Sequence, residues 1–286
     1  MNRFILSVAL AAAAASPAAA QVAIKGATVY TMAGAPITDG VVLIGRDGRI
    51  ERGGPAAQVA VPAGYRVISG QVVTPGLVDA HSTVGLSGIL NYNHDQDQLE
   101  KSAPMQPELR ALDAYNPQER LVGWLRGLGI TTVNTGHGPG ALISGQTFVV
   151  KTRGNSVGEA LMDSVAMVAM TLGSSVEENF KSPGTEAKQV SMLRQEFIKA
   201  REYARKWKTA KADSPPDRDL RLEMMAQVLD GRVPALITAQ RAIDILAALR
   251  LQQEFGFKLI LDGAAESYLV VDQIKAAGIP VILHPT

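Results

Sequence analysis

Residues 71–85, QVVTPGLVDAHSTVG, decide the fold. A β-rich segment ends in Val72-Val73 and passes through Thr74-Pro75-Gly76. It then enters a second apolar segment, Leu77-Val78, that carries Asp79 and stops at His81. Pro cannot donate to a ladder and Gly relaxes the backbone, so the Pro-Gly pair separates two strands rather than interrupting one. A carboxylate and an imidazole two residues apart lie on the same face of a strand. This stretch divides a β-rich region before it from a mixed region after it.

Working toward the N-terminus, residues 21–73 hold four short β segments: VAIKGATVYT, GVVLIG, RIERGG and YRVISGQVV. Gly and Asp-Gly turns separate them, and Asp47-Gly48 is a hairpin signal. No apolar period of helix length occurs among them, which predicts a small β domain.

Working toward the C-terminus, residues 74–286 alternate strands with amphipathic helices. Asn116 is placed as an N-cap, with Pro117 at the first helical position and Glu119 completing a capping box. That helix is expected to run to Gly129, ahead of the strand ITTVN. PALIT, FKLIL and IPVIL are further strands, with Gly256 and Gly278 ending the helices between them. Short apolar strands joined by single helices predict parallel βαβ units, in an open doubly wound sheet or a closed barrel. Residues 186–210 predict a long charged helix and 214–219 a Pro-containing break, read together as a surface excursion with a solvated face.

Composition narrows the function. The chain has 286 residues, 47% hydrophobic and 19% charged, which suits a globular core. Its 28 Lys and Arg nearly cancel 27 Asp and Glu, with no basic run interleaved with aromatics, so nucleic acid is not an expected partner. Residues 1–20, MNRFILSVALAAAAASPAAA, read as a cleavable secretory signal that sends the protein to the periplasm. Their apolar stretch is shorter than a membrane span. Cys is absent and there are four His, so any metal would be held by His, Asp, Glu or a modified Lys.

QVVTPGLVDAHSTVG resembles the first barrel strand of the amidohydrolase superfamily, in its imidazolonepropionase and Xaa-Pro dipeptidase branches. GLGITTVNTG looks like that family's second strand. PALITAQRAIDILAALRLQQEFGFKLILDGAAESY looks like its fifth strand, helix and sixth strand, and AAGIPVILHPT like its seventh. The resemblance implies an α/β fold: a (β/α)8 TIM-type barrel, incomplete in this chain, behind half of an N-terminal β-sandwich at residues 21–73. It also implies a divalent metal, zinc by family, held in part by a His-x-His pair, and an Asp at the end of an eighth strand that has no counterpart before Thr286.

Several of the implied ligand positions are replaced. His81 stands at the first position of the pair and Thr83 at the second; Thr238 and Gln240 stand on the fifth strand and Gly263, beside Asp262, on the sixth. Thr and Gln oxygens are weak neutral donors and Gly offers none. His81 is therefore read either as a surviving ligand or as a hydrogen-bonded strand end, and Asp79 as a second ligand or a local hydrogen-bond acceptor.

Three further His follow strands or sit in loops. His94 lies in NYNHDQDQLE with Asp95, Asp97 and Glu100, an oxygen-rich loop suited to a hard cation or simply solvated, without EF-hand spacing. His137 lies in the Gly-rich TGHGPGALISGQ, which lacks a phosphate-loop ending. With Asp262 and His284 it forms a candidate substrate-binding set, and any three of Asp79, His81, His137, Asp262 and His284 could build a rearranged metal site. The expected function is hydrolysis of a carbon–nitrogen bond in a small molecule, weakened or lost through the replaced ligands. The alternative is a pseudoenzyme, a periplasmic protein that binds a ligand or partner at the same barrel mouth.

Overall fold

The computed structural model describes residues 21–211 and 213–284, which fall into two compact units divided between Pro75 and Gly76. The expected signal segment lies outside the described residues.

The first unit is one four-stranded sheet. Strands β1 (Val22–Val29), β2 (Ile37–Ile44), β3 (Ile50–Pro55) and β4 (Arg66–Val73) lie in the order β3-β2-β1-β4. The hairpin falls on Asp47-Gly48 as the sequence predicts. Gly45 N–H donates to the Arg49 carbonyl at 2.9 Å, and Gly48 takes a φ of 76°, which only glycine adopts without strain. Ala23, Val41, Leu43 and Val59 pack on one side. Along β4, Val67, Ile68 and Val72 stay exposed.

The second unit is built on seven strands. They are β5 (Leu77–Ser82), β6 (Ile130–Thr135), β7 (Ile143–Lys151), β8 (Leu161–Leu172), β9 (Ala235–Ala239), β10 (Leu259–Gly263) and β11 (Val281–Ile282). They are ordered in space as in sequence. β5 and β6 are parallel, as are β8 through β11, but β7 runs antiparallel to both its neighbours. The expectation of βαβ units throughout is therefore corrected at β7. Gly-rich residues 136–145 turn the chain straight back, and an antiparallel partner needs no crossover helix.

Helices cover the outer face of this sheet. In chain order they are α1 (Arg120–Gly127), α2 (Val157–Ala160), α3 (Ser174–Asn179), α4 (Glu186–Thr209), α5 (Leu220–Leu229), α6 (Ala242–Phe255) and α7 (Val271–Ala277). Gly256 and Gly278 end α6 and α7 in the left-handed conformation, as their sequence positions predict. α1 begins later than expected. The Asn116 carboxamide accepts from Gln118 N–H at 3.0 Å and closes a turn of its own, which leaves Glu119 to cap the helix through Leu121 N–H at 2.6 Å.

α4 is not a surface excursion. Leu193, Phe197, Ala200 and Tyr203 recur every three or four residues along its buried stripe, while Lys188, Lys199, Arg205, Lys206 and Lys208 are exposed. Phe197 stacks on Phe257 and lies tilted against Phe255, with ring centroids 4.9 and 5.0 Å away. These rings join Leu142, Met170, Ile237, Leu251 and Leu261 in the main core.

Strand periodicity now separates the two faces of the sheet. Val168, Met170, Leu172, Ala235, Ile237, Ala239, Leu259 and Leu261 all enter the helix-covered core. The alternate residues Thr171, Thr238 and Asp262 face the other way and sit side by side in register across β8, β9 and β10. The inner face is thus lined with oxygen donors at the C-terminal ends of the parallel strands, where barrel folds keep their chemistry.

Candidate metal centre

His81, near the end of β5, and Asp262, near the end of β10, are five strand spacings apart in sheet order, about 24 Å if the sheet were flat. Instead His81 Nδ1 lies 3.1 Å from Asp262 Oδ1. The sheet therefore curls until its inner face meets itself, nearly closing an incomplete barrel. His284, two residues past β11, brings its Nε2 to within 2.7 Å of the same carboxylate oxygen. Thr238 completes the group by donating its hydroxyl to Oδ2 at 2.7 Å.

The three residues each present a ligand atom, and these atoms lie within 4.8 Å of one another. Asp262 and His81 are buried, with side chains 2% and 5% exposed, while that of His284 is 44% exposed. Burial alone would raise the Asp262 pKa. Hydrogen bonds to His81, Thr238 and His284, together with the His81 charge, outweigh it and hold the carboxyl at about 2. Asp262 is an anion at neutral pH.

Whether this group suits a divalent ion is decided by its donors. Two imidazoles and one carboxylate are the ligand types of an open, catalytic zinc site, three protein ligands with a further position free. His81 Nε2 is buried without any hydrogen-bond partner, so the ring has a polar atom to spare. Thr238 fixes one carboxylate oxygen and leaves the other facing the imidazoles, the outer support that ligating carboxylates need. The residues fit.

The replaced family positions have other work. Thr83 shares a hydrogen bond with Ser87 at 3.0 Å, and Gln240 Oε1 accepts from Ala265 N–H at 3.3 Å. Gly263 has a φ of 76°, and a Cβ there would strike the Gln240 amide. Of these positions, only Thr238 touches the His–Asp–His group.

Asp79 and His137 are not members of that group. Asp79 Oδ1 accepts from the His81 backbone N–H at 3.2 Å, a local strand contact. His137 is buried, and neither ring nitrogen makes a well-formed hydrogen bond. Burial pushes its pKa below the ordinary value, opposed by the Gln98 backbone carbonyl. Its ring fills the space left by Gly145, where a Cβ would come within 2.5 Å of His137 Cδ2 and 2.7 Å of the Leu109 carbonyl oxygen. Gly145 also has a φ of 132°. Gly145→Ala is expected to cost about 1–3 kcal/mol in urea unfolding. His94 is exposed, stacks on Tyr92 and lies 3.6 Å from Asp95. Among the described residues, its acidic loop forms no three-ligand group.

No protein-family model matches the chain, and no curated protein matches it. Among solved structures it is similar to an amidohydrolase from Thermotoga maritima MSB8, with 29% sequence identity and a TM-score of 0.85. That match covers 92% of this chain and 70% of the Thermotoga chain. Molinate hydrolase shares 16% identity at a TM-score of 0.47, over 94% of this chain and 64% of the other. A protein assigned as a prolidase from Bifidobacterium longum shares 16% at 0.36, over 86% and 55%. With the curled sheet, the inward-facing polar row and the Thermotoga match over nearly its whole length, the chain has the fold of an amidohydrolase and is similar to that superfamily.

Proposed function

We propose that the protein is a hydrolase of carbon–nitrogen bonds in small molecules, an amide, cyclic amide or small peptide, working with one divalent ion held by His81, Asp262 and His284. The convergence of these three side chains at the C-terminal ends of the strands carries the reading. When bound, the ion would supply Lewis acidity toward a carbonyl group.

The chain's own residues do the rest. Asp262 stays ionised and brings the negative charge, His81 anchors the group from the far side of the sheet, and Thr238 keeps the carboxylate from rotating. Thr238→Val is expected to weaken zinc binding about 10- to 100-fold by calorimetry, with Thr238→Ser restoring it.

The same reading takes residues 1–20 as an export signal and the periplasm as the working compartment. It takes the four-stranded sheet of residues 21–73 as half of a β-sandwich. Among the described residues no helix is long and apolar enough to cross a membrane. A second reading, a non-catalytic ligand-binding protein with weakened or lost activity, draws support from the family ligand positions occupied by Thr83, Gln240 and Gly263.

Elemental analysis after dialysis, followed by assay of N-acyl amino acids, cyclic imides and dipeptides, tests the two. About one equivalent of zinc, with hydrolysis that a chelator abolishes, supports the hydrolase. Bound zinc without turnover of any amide favours the binding protein, and a metal-free, inactive chain overturns the metal reading altogether.

A further inference from the structure

His137 is buried and takes no part in the His–Asp–His group. It sits in the Gly-rich loop between β6 and β7. That loop lies over the inner polar row, since Gly140 N–H donates to the Thr171 hydroxyl at 2.9 Å. Residues 96–110 form a strap across the loop and the first half of β7. Gly138 N–H donates to the Gln98 carbonyl at 2.7 Å, Gln106 N–H to the Ile143 carbonyl at 2.9 Å and Gln146 N–H to the Leu109 carbonyl at 2.8 Å.

The strap is well bonded through its backbone and poorly through its side chains. Gln96 Nε2, Gln98 Oε1, Glu108 Oε2 and both ring nitrogens of His137 are buried without hydrogen-bond partners. Such atoms give up water on burial and gain nothing in exchange, so lifting the strap restores solvation that the closed state lacks. A segment held on these terms opens at less cost than the whole fold.

A proton on His137 adds to this imbalance. An imidazolium has two N–H donors to satisfy. Burial pushes the His137 pKa below its ordinary value, opposed by the Gln98 carbonyl. The charged groups on the elements packed around the ring lie at the surface or are paired elsewhere. On the strap Asp97, Glu100, Lys101 and Arg110 are exposed, and Glu108 lies 3.9 Å from Arg221. The Gly-rich loop carries no charge, and Lys151, at the far end of β7, bonds Thr132. On α3, which reaches the loop through Asn179, Glu177 and Glu178 are exposed.

We propose that residues 96–110 are an acid-opened lid: a proton on His137 lifts the strap and frees the loop that lies over the inner polar row. With the strap up, the ring takes its proton at the ordinary value of about 6.5; with the strap down, only at lower pH. Closure is therefore favoured above that value and lost as pH falls through it, by up to about tenfold in the opening equilibrium per pH unit.

Hydrogen exchange read by mass spectrometry on the 286-residue chain tests this at about pH 7.5 and about pH 5.5, one unit either side of the ordinary imidazole value, with each rate divided by its intrinsic rate. Peptides covering 96–110 and 136–146 are expected to open more at the lower pH, by up to about tenfold, while 193–203 of α4 stays unchanged. His137→Gln removes the titrating ring and should remove the pH dependence with it. Carbon-13 NMR of the His137 ring needs no variant and should give a midpoint below about 6.5. Equal exchange at both pH values, a rise shared by α4, a ring that titrates at the ordinary value, or a pH dependence that survives in His137→Gln would each overturn the lid.

Discussion

Asp262→Ala is expected to abolish zinc binding, a loss larger than the roughly 100-fold that removing a supporting hydrogen bond costs. Asp262 is the sole carboxylate of the group. One of its oxygens takes both imidazoles and the other takes the Thr238 hydroxyl, so a single truncation strands three polar groups. The His81 and His284 rings, 6.0 Å apart by centroid, would then face each other with no anion between them. Removing one member of a buried charged group costs roughly 3 kcal/mol at the low end, so the urea midpoint should fall as well. Asp262→Asn separates charge from shape: it keeps a polar group opposite Thr238 and should recover part of the stability but little of the zinc affinity. A variant that kept full zinc affinity in calorimetry would show that Asp262 is not a ligand.

Phe197→Ala should lower the unfolding free energy by about 3–5 kcal/mol without changing zinc affinity in what remains folded. Phe197 is fully buried on α4 and lies between Phe255 at the end of α6 and Phe257 just before β10. Removing it opens a cavity where three elements meet, and aromatic neighbours cannot collapse into it without leaving their own stacked positions. Denaturant unfolding measures the loss. A cost below 1 kcal/mol would return α4 to the status of a peripheral helix.

The charged composition of α4 explains why its burial is easy to miss. Lys, Arg and Glu are scattered through residues 186–209, yet a helix needs only a narrow stripe to dock, and Leu193, Phe197, Ala200 and Tyr203 supply it. β7 was hidden for a different reason. Its sequence, ISGQTFVVK, follows a Gly-rich stretch that reads as a loop, and strand direction is set by the turn before it rather than by its own residues.

What the sequence by itself determined is the local grammar: the Asp-Gly hairpin, the Gly stops after α6 and α7, the strands around Thr238, Asp262 and Val281, and the amidohydrolase likeness of residues 71–85. These depend on interactions within a few residues, where pattern and propensity act directly. What only the tertiary structure decided is which of the candidate site residues meet. Asp79, His81, His137, Asp262 and His284 were all eligible by position at strand ends. The curl of the sheet brings residues 81, 262 and 284 to one point, while Asp79 binds its own backbone and His137 packs on Gly145. That selection follows from accumulated strand twist and curl over seven strands, a property of the whole sheet that no single segment encodes.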